Sequence, residues 1–415
     1  MKKFLVVLFW FFSLIIVIIY TYENPERFDV IKDYLKKSES PLAKLDKGPI
    51  QTATANSFNV KFSKVMSFDN KTAFIIHNKN TSSFNQNNLE IFTQNGYLLK
   101  NSKSEKLNLP DFFTTKNNGG IKTIFIHKDS QFALISSFKE NCFYASIILL
   151  NNSKEILKTD CLPDVGVDYN GLGSSSIHYD NKIILSIGAP EQVKHKIAEL
   201  AQNNDSLFGK IIEIEKSDLN KIISNEENNL IPKIFSKGHR NPQGLTKIDE
   251  SIFSVEHGPR GGDELNKIIK NKNYGWPIVS YGARYLHDKN NKSYEVSHEN
   301  NKFEEPLFAL VPSVGISAIN NCPIKLNKYY KKPCLLALSL YGNVLRRGRS
   351  IIIYLLNEKM DKIHSVEQIH LRDDLKLRHF VTNSKNELYE DNNGSIYVSA
   401  DNKGIYKLSF VDFIN

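Results

Sequence analysis

The chain has 415 residues, 41% of them apolar even without counting glycine, which excludes a disordered polypeptide. Its 54 basic and 45 acidic residues leave a net charge of +9, but the lysines are spread along the chain. The local basic clusters, at 325–332 and 346–349, read as solvated loops rather than a phospholipid or polyanion surface, and no nucleic-acid partner is expected.

The N-terminus reads Met1-Lys2-Lys3, followed by an uncharged apolar run from Phe4 to Tyr20. That length is near the minimum for a bilayer-spanning helix. A cleaved signal peptide is the competing reading. The run is followed by bulky Tyr20-Thr21-Tyr22 rather than a small-x-small site, which favours a retained anchor over residues 1–22. Lys2 and Lys3 would stay inside, leaving the body membrane-anchored and extracytoplasmic, on the periplasmic side in a bacterium. Residues 23–57 read as a linker, with room for a short amphipathic helix carrying Phe28, Ile31, Tyr34 and Leu35.

From residue 58 onward, strand-like runs dominate and one pattern recurs. An Asp-centred turn feeds a strand of β-branched and aromatic residues at Asp69, Asp129, Asp180, Asp249 and Asp391, with a weaker copy at Asn327. The steps between them are 60, 51, 69, 78 and 64 residues, each with room for about four strands, the blade of a propeller. Asp and Asn suit such turns because their side chains bond the local backbone and tolerate positive φ. Asn95-Gly96 marks a hairpin of the same kind. A single sandwich of this length would be unusually large. The expected fold is therefore all-β, a six-bladed β-propeller over 58–415 preceded by a single N-terminal transmembrane helix. Insertions at 189–207, with a helix-compatible stretch, and at 287–303, polar and loop-like, could shape a pocket entrance on the propeller face.

Four cysteines allow three pairings. Cys142 and Cys161 flank a hairpin-like stretch, and Cys322 and Cys334 bracket a short excursion, so two local disulfides are expected in an oxidising compartment. Four buried free thiols are the alternative. No spacing is CxxC, which argues against zinc.

Polar chemistry concentrates between residues 238 and 285. The blocks are Gly238-His239-Arg240-Asn241-Pro242-Gln243-Gly244, Glu256-His257-Gly258-Pro259-Arg260-Gly261-Gly262-Asp263-Glu264-Leu265-Asn266 and Asn273-Tyr274-Gly275-Trp276-Pro277. Glycines let backbone carbonyls approach a ligand closely. Arg240 and Asn241 present planar donors suited to carboxylates or quinone oxygens.

In that order, these blocks closely resemble the pyrroloquinoline quinone (PQQ)-dependent soluble sugar dehydrogenases, the glucose/sorbosone dehydrogenase family. Weaker likeness runs from about residue 160 to the C-terminus. The resemblance implies a six-bladed propeller, PQQ as cofactor, and calcium held by the backbone carbonyls of Gly258 and Pro259. It also implies PQQ contacts from Arg240, Asn241, Lys376 and Arg378, with Lys376 standing where the family has arginine. A family lysine on the quinone falls at Tyr341.

The catalytic step departs from that pattern. The family's proton-accepting histidine falls at Gly171 or, with no gap, at Asn170, and the aspartate that orients it falls at Ala189. Neither Asn nor Gly accepts a proton as imidazole does. His178 lies seven or eight residues late, on a strand; His239 and His257 are the other imidazoles nearby. Two readings follow. One is a calcium-assisted sugar dehydrogenase with an altered base; the other is a noncatalytic propeller that binds a glycan or protein partner.

Overall fold

Each β-rich segment is too narrow to bury its own two faces, and the chain solves this by packing sheets against one another in a ring. The structure, a computed structural model, describes residues 44–45, 47–78, 84–163, 167–190, 197–284, 294, 297–341 and 348–414. The expected anchor over 1–22 and the helix near residue 30 lie outside these. Among the described residues no helix is long and apolar enough to cross a membrane.

Among the described residues there are six antiparallel sheets; in five of them the four main strands run in chain order from the axis outward. Blade 1 comprises Thr72–His77, Leu89–Thr93, Tyr97–Lys100 and Lys103–Lys106. Blade 2 comprises Ile121–His127, Ser130–Lys139, Cys142–Leu149 and Lys154–Lys158, with Leu162–Pro163 added beside its third strand. Blade 3 is built from Ser176–Tyr179, Lys182–Ile187, Lys210–Glu215 and Lys233–Lys237, and blade 4 from Pro242–Ile248, Ser251–Glu256, Asp263–Ile268 and Phe308–Leu310. Blade 5 holds Ile316–Asn321, Cys334–Ser339, Ser350–Leu356 and Ile363–His370. Blade 6 joins C-terminal strands Leu377–Phe380, Ile396–Ala400 and Gly404–Val411 to Asn59–Ser67 from the start of the domain. The six innermost strands touch in cyclic order, so the ring is closed.

The core explains the continuous apolar runs. Among the described residues there are six buried clusters, one between each pair of neighbouring blades. In blade 5, Leu336 and Leu338 face the blade-6 side while Leu335 and Ala337 face blade 4; Ile351, Ile353 and Ile352, Tyr354 divide the same way. Because side chains alternate along a strand, one run of aliphatics supplies two cores. Each such side chain contributes roughly 1.5–3 kcal/mol by leaving water.

The six-blade count holds, but two copies of the repeat play different roles from the rest. Asp129, Asp180 and Asp249 sit between the first and second strands of blades 2, 3 and 4, with Asp180 and Asp249 at φ of 48° and 49°. Asp391 leads into the second strand of blade 6. Asp69 instead links blade 6 to blade 1, and Asn327 lies inside a helix, Ile324–Tyr330. The Asn95-Gly96 hairpin is present, with Gly96 at φ +88°. Strands Lys44–Leu45 and Gln51–Thr54 pair with Asn59–Ser67, so sheet structure begins within the stretch expected as linker. Of the 189–207 insertion, Ile197–Ala201 forms a 3-10 helix; most of 287–303 lies outside the described residues.

Both disulfides form as expected, Cys142–Cys161 and Cys322–Cys334, with Cα separations of 5.4 and 5.3 Å. A turn of blade 6 reaches the first strands of both blade 3 and blade 5. Asn386 Nδ2 donates to the carbonyl of Ser176 on blade 3 at 2.8 Å, and Asn320 Nδ2 on blade 5 donates to the Asn386 carbonyl at 2.9 Å.

Candidate active site

In an antiparallel blade, the connection entering the first strand and the loop joining second to third strands lie at the same end. The segments singled out by sequence therefore converge on one face: 168–175 and 188–190 around blade 3, 238–241 and 257–262 around blade 4, 340–341 on blade 5, and 376–378 on blade 6.

Blade 4 supplies the most heavily bonded part. Glu256, buried at the end of its second strand, accepts from the Arg240 amide at 2.7 Å and Asn266 Nδ2 at 2.9 Å, and meets His239 Nδ1 at 3.1 Å. His239 Nε2 lies 2.8 Å from Ser236 Oγ, so both ring nitrogens are engaged beneath the site. Burial pushes the Glu256 carboxyl up, but His239 and the amides of Arg240 and Asn241 outweigh it and hold it below the usual range. Neighbouring Glu264 goes the other way: burial, then the Glu256 charge, raises it to about 8.

Above that hub, Arg240 Nη1 donates to the His257 carbonyl at 2.8 Å, and its guanidinium lies 5.3 Å from the Trp276 ring. The Asn241 amide oxygen accepts from Gly173 N at 2.8 Å, and its Nδ2 donates to the Asn170 carbonyl at 3.0 Å and reaches His257 Nδ1 at 3.3 Å. The turn bearing Gly258 and Pro259 is fixed by Asp263. One carboxylate oxygen accepts from Gly258 N at 3.1 Å; the other accepts from Val314, Gly315 and Ile316 amides at 3.1, 2.7 and 3.1 Å. A side-chain carbon at Gly258 would come within 2.2 Å of the Gly261 and Gly262 carbonyl oxygens, so only glycine allows the backbone to fold this tightly. Among the described residues no group of three or more His, Cys, Asp or Glu could hold a metal, so a cation here would depend on backbone oxygens.

Blade 6 adds a further part of the same face. Arg378 makes a two-point ion pair with Asp401, both contacts at 2.5 Å, which fixes the guanidinium plane. Lys376 Nζ stands 5.7 Å from the ring of Tyr341, which is 45% exposed on this face.

The 168–175 segment is held by its backbone. Besides Asn241 on the Asn170 carbonyl, Lys122 Nζ donates to the neighbouring Tyr169 carbonyl at 2.8 Å and to Asn118 O at 2.9 Å. Asn170 is exposed, and among the described residues its side-chain amide reaches only Asp168, at 3.4 Å. Ala189 is buried and donates its N–H to the Arg240 carbonyl at 2.8 Å. His178 lies near the far end of its strand, beside His127, Lys216 and Lys385, where burial lowers it to about 4. His257 is lowered by burial and by Arg240 and Arg378.

Two residues of this face escaped sequence reasoning. Lys122 is the second residue of a first strand whose other members are mostly apolar; burial, with Arg378 and Lys71 nearby and Asp168 opposing, lowers its amine to about 7. Asp401 directly follows a buried strand. In each case the signal is an ionisable residue where the pattern calls for burial.

The "Glucose / Sorbosone dehydrogenase" family profile matches residues 150–404. An aldose sugar dehydrogenase of Escherichia coli is 42% identical over 91 residues, 20% of this chain and 24% of that protein. Quinoprotein glucose dehydrogenase B of Acinetobacter calcoaceticus is 30% identical over 133 residues, 26% of this chain and 28% of its own. The matched stretch thus spans about a quarter of these curated relatives. A solved glucose dehydrogenase superposes with a TM-score of 0.61 at 21% identity, over 83% of this chain and 98% of the other, a likeness of fold. With the profile covering more than half the residues, the chain belongs to the glucose/sorbosone dehydrogenase family.

Proposed function

We propose that this propeller binds PQQ on the face described above and oxidises a sugar hydroxyl, with calcium at the Gly258–Pro259 turn. The observation that carries the reading is the buried Arg240–Asn241 pair, held from below by Glu256, on the same face as the Arg378–Asp401 pair. The cofactor's carboxylates and quinone oxygens call for cations and planar donors, which Arg240, Asn241, Lys376 and Arg378 offer. The carbonyls of Gly258 and Pro259 are hard oxygen ligands of the kind calcium takes, and Asp263 keeps their turn rigid. When bound, the quinone supplies a two-electron acceptor for hydride, and calcium would polarise the accepting carbonyl.

The protein's own part is to orient and to manage a proton. Arg240 is fixed between the His257 carbonyl and Trp276, and Arg378 by Asp401, so neither needs to reorganise on binding. Two disulfides support an extracytoplasmic location, in keeping with an N-terminal membrane anchor.

A noncatalytic glycan- or protein-binding propeller is the second reading, favoured by Asn170, Gly171 and Ala189 at the positions of the family's base and its orienting carboxylate. The deciding experiment is a titration of the chain with PQQ, with and without calcium, followed by a sugar panel with a dye acceptor. Calcium-dependent stoichiometric binding and dye reduction are expected. No binding at micromolar PQQ would sink the dehydrogenase reading.

A further inference from the structure

We propose that the Lys122 amine accepts the proton of the substrate hydroxyl, taking over the task that an imidazole at Asn170 or Gly171 would otherwise perform. The inference rests on the dehydrogenase reading above and assigns its missing base.

The position comes first. Lys122 and Asn241 grip consecutive peptide groups: Lys122 Nζ donates to the Tyr169 carbonyl at 2.8 Å and Asn241 Nδ2 to the Asn170 carbonyl at 3.0 Å. The amine therefore sits one residue from the place where the base is expected, on the same wall as a cofactor-contacting residue. Arg378 of blade 6 is near enough to act on both Lys122 and His257, which puts the amine within reach of the cofactor-contacting residues.

The hydrogen-bond count comes second. A neutral amine has two N–H donors and one lone pair. Both donors are taken, by Asn118 O and Tyr169 O, and among the described residues no protein group meets the third direction. Lys210 is the internal contrast. Its fully buried Nζ donates to three carbonyls, of Leu200, Ala201 and Phe208, at 2.8, 3.0 and 2.9 Å, which uses every N–H of an ammonium and leaves nothing for chemistry. Lys210 is a strut; Lys122 has one valence left over.

The charges around the amine agree. Asp168 favours its protonated form, while Arg378 and Lys71 oppose it, and the Tyr169 ring lies 5.9 Å away. With burial added, the amine falls to about 7, the range in which a base is free at neutral pH yet still takes a proton. The step balances. The hydroxyl proton passes to Lys122 Nζ, the carbon's hydride leaves with its electron pair for the ortho-quinone, and the C–O single bond becomes C=O. The sugar loses two electrons and the quinone gains them; the ammonium then returns its proton to solvent.

The test uses the full chain and the variants Lys122→Arg and Lys122→Met. Arginine keeps the charge and can still donate to both carbonyls, but cannot serve as a base at neutral pH. The readout independent of cofactor is pH-dependent acylation of the Lys122 amine, followed by peptide mass spectrometry; half-maximal reactivity is expected near pH 7. Labelling that rises only in the range of ordinary exposed lysines overturns the proposal. In the PQQ-loaded chain, Lys122→Arg is expected to bind PQQ within about threefold of the parent while sugar-driven quinone reduction falls about 10²–10⁴-fold. Unchanged reduction in Lys122→Arg overturns the proposal alone. A parent chain that binds no PQQ overturns the dehydrogenase reading and the proposal together. Loss of PQQ affinity in both variants, with residual reduction rates matching the parent's at saturation, assigns Lys122 to cofactor binding instead and likewise overturns it.

Discussion

The blade-4 loops and the 168–175 segment meet on one face yet are built in opposite ways. On blade 4, side chains hold backbone: Asp263 alone accepts four amide N–H groups, and Glu256 gathers His239, Arg240 and Asn266. In 168–175, much of the backbone is held by side chains from elsewhere, namely Asn241 and Lys122, with Asn386 reaching the Ser176 carbonyl just beyond. The first arrangement fixes its own residue identities, because each carboxylate has several partners to leave unsatisfied. The second constrains little beyond backbone path, so residues 170 and 171 are free to vary without loss of the scaffold. A site of this kind can keep its cofactor wall while the reacting group changes.

Mutations that test this difference should grade in size. Asp263→Ala removes a buried carboxylate from four amides and is expected to cost roughly 3–5 kcal/mol, read by denaturant unfolding. Asn241→Ala, the residue that joins the two regions, should cost about 2 kcal/mol and also weaken PQQ binding at least tenfold, a pairing of effects that a merely structural role would not produce. The smallest change is expected from Asn386→Gly, at about 1 kcal/mol; glycine suits that residue's φ of 64°, so the variant removes the side-chain bonds to Ser175 and Ser176 without straining the turn. Equal costs at Asp263 and Asn386 would erase the distinction.

A pH series sharpens the same comparison within blade 4. Glu264 is raised to about 8 in the folded chain, against the ordinary carboxyl value of 4.5. Between those values the unfolded chain has released the proton that the folded chain still holds, so this group's contribution falls as pH rises. Glu264→Gln should therefore raise the melting temperature more at pH 8 than at pH 5. A gain independent of pH would show that Glu264 is ordinary in the folded state.

Much of this was legible along the chain because the relevant order is local. The alternation in Leu335-Leu336-Ala337-Leu338 marks a strand buried on both faces, Asp180 and Asp249 mark turns, and Cys322 and Cys334 are close in sequence as well as in space. The Gly258–Asp263 turn was legible for the same reason: the carboxylate that holds it lies five residues away. Asp69 misled because a blade-to-blade turn has the same residue preferences as a turn within a blade. Lys122 could not be placed, since its setting depends on Tyr169, which the next blade's entry segment brings, and on Arg378, which ring closure brings. The grip of Asn386 on Ser176 spans 210 residues and leaves no trace in any local pattern.

Ring closure also has a consequence for the order of synthesis. Asn59–Ser67, among the first strands made, pairs with Gly404–Val411, among the last. Its buried Val60, Phe62 and Met66 therefore have only the short strands Lys44–Leu45 and Gln51–Thr54 beside them while the five intervening blades are translated. Throughout that interval the chain carries an open, partly apolar strand edge, the kind of surface that pairs wrongly with other chains. The last blade thus works as a delayed clasp, and truncation even at its final strand would cut Asn59–Ser67 off from the other strands of its blade.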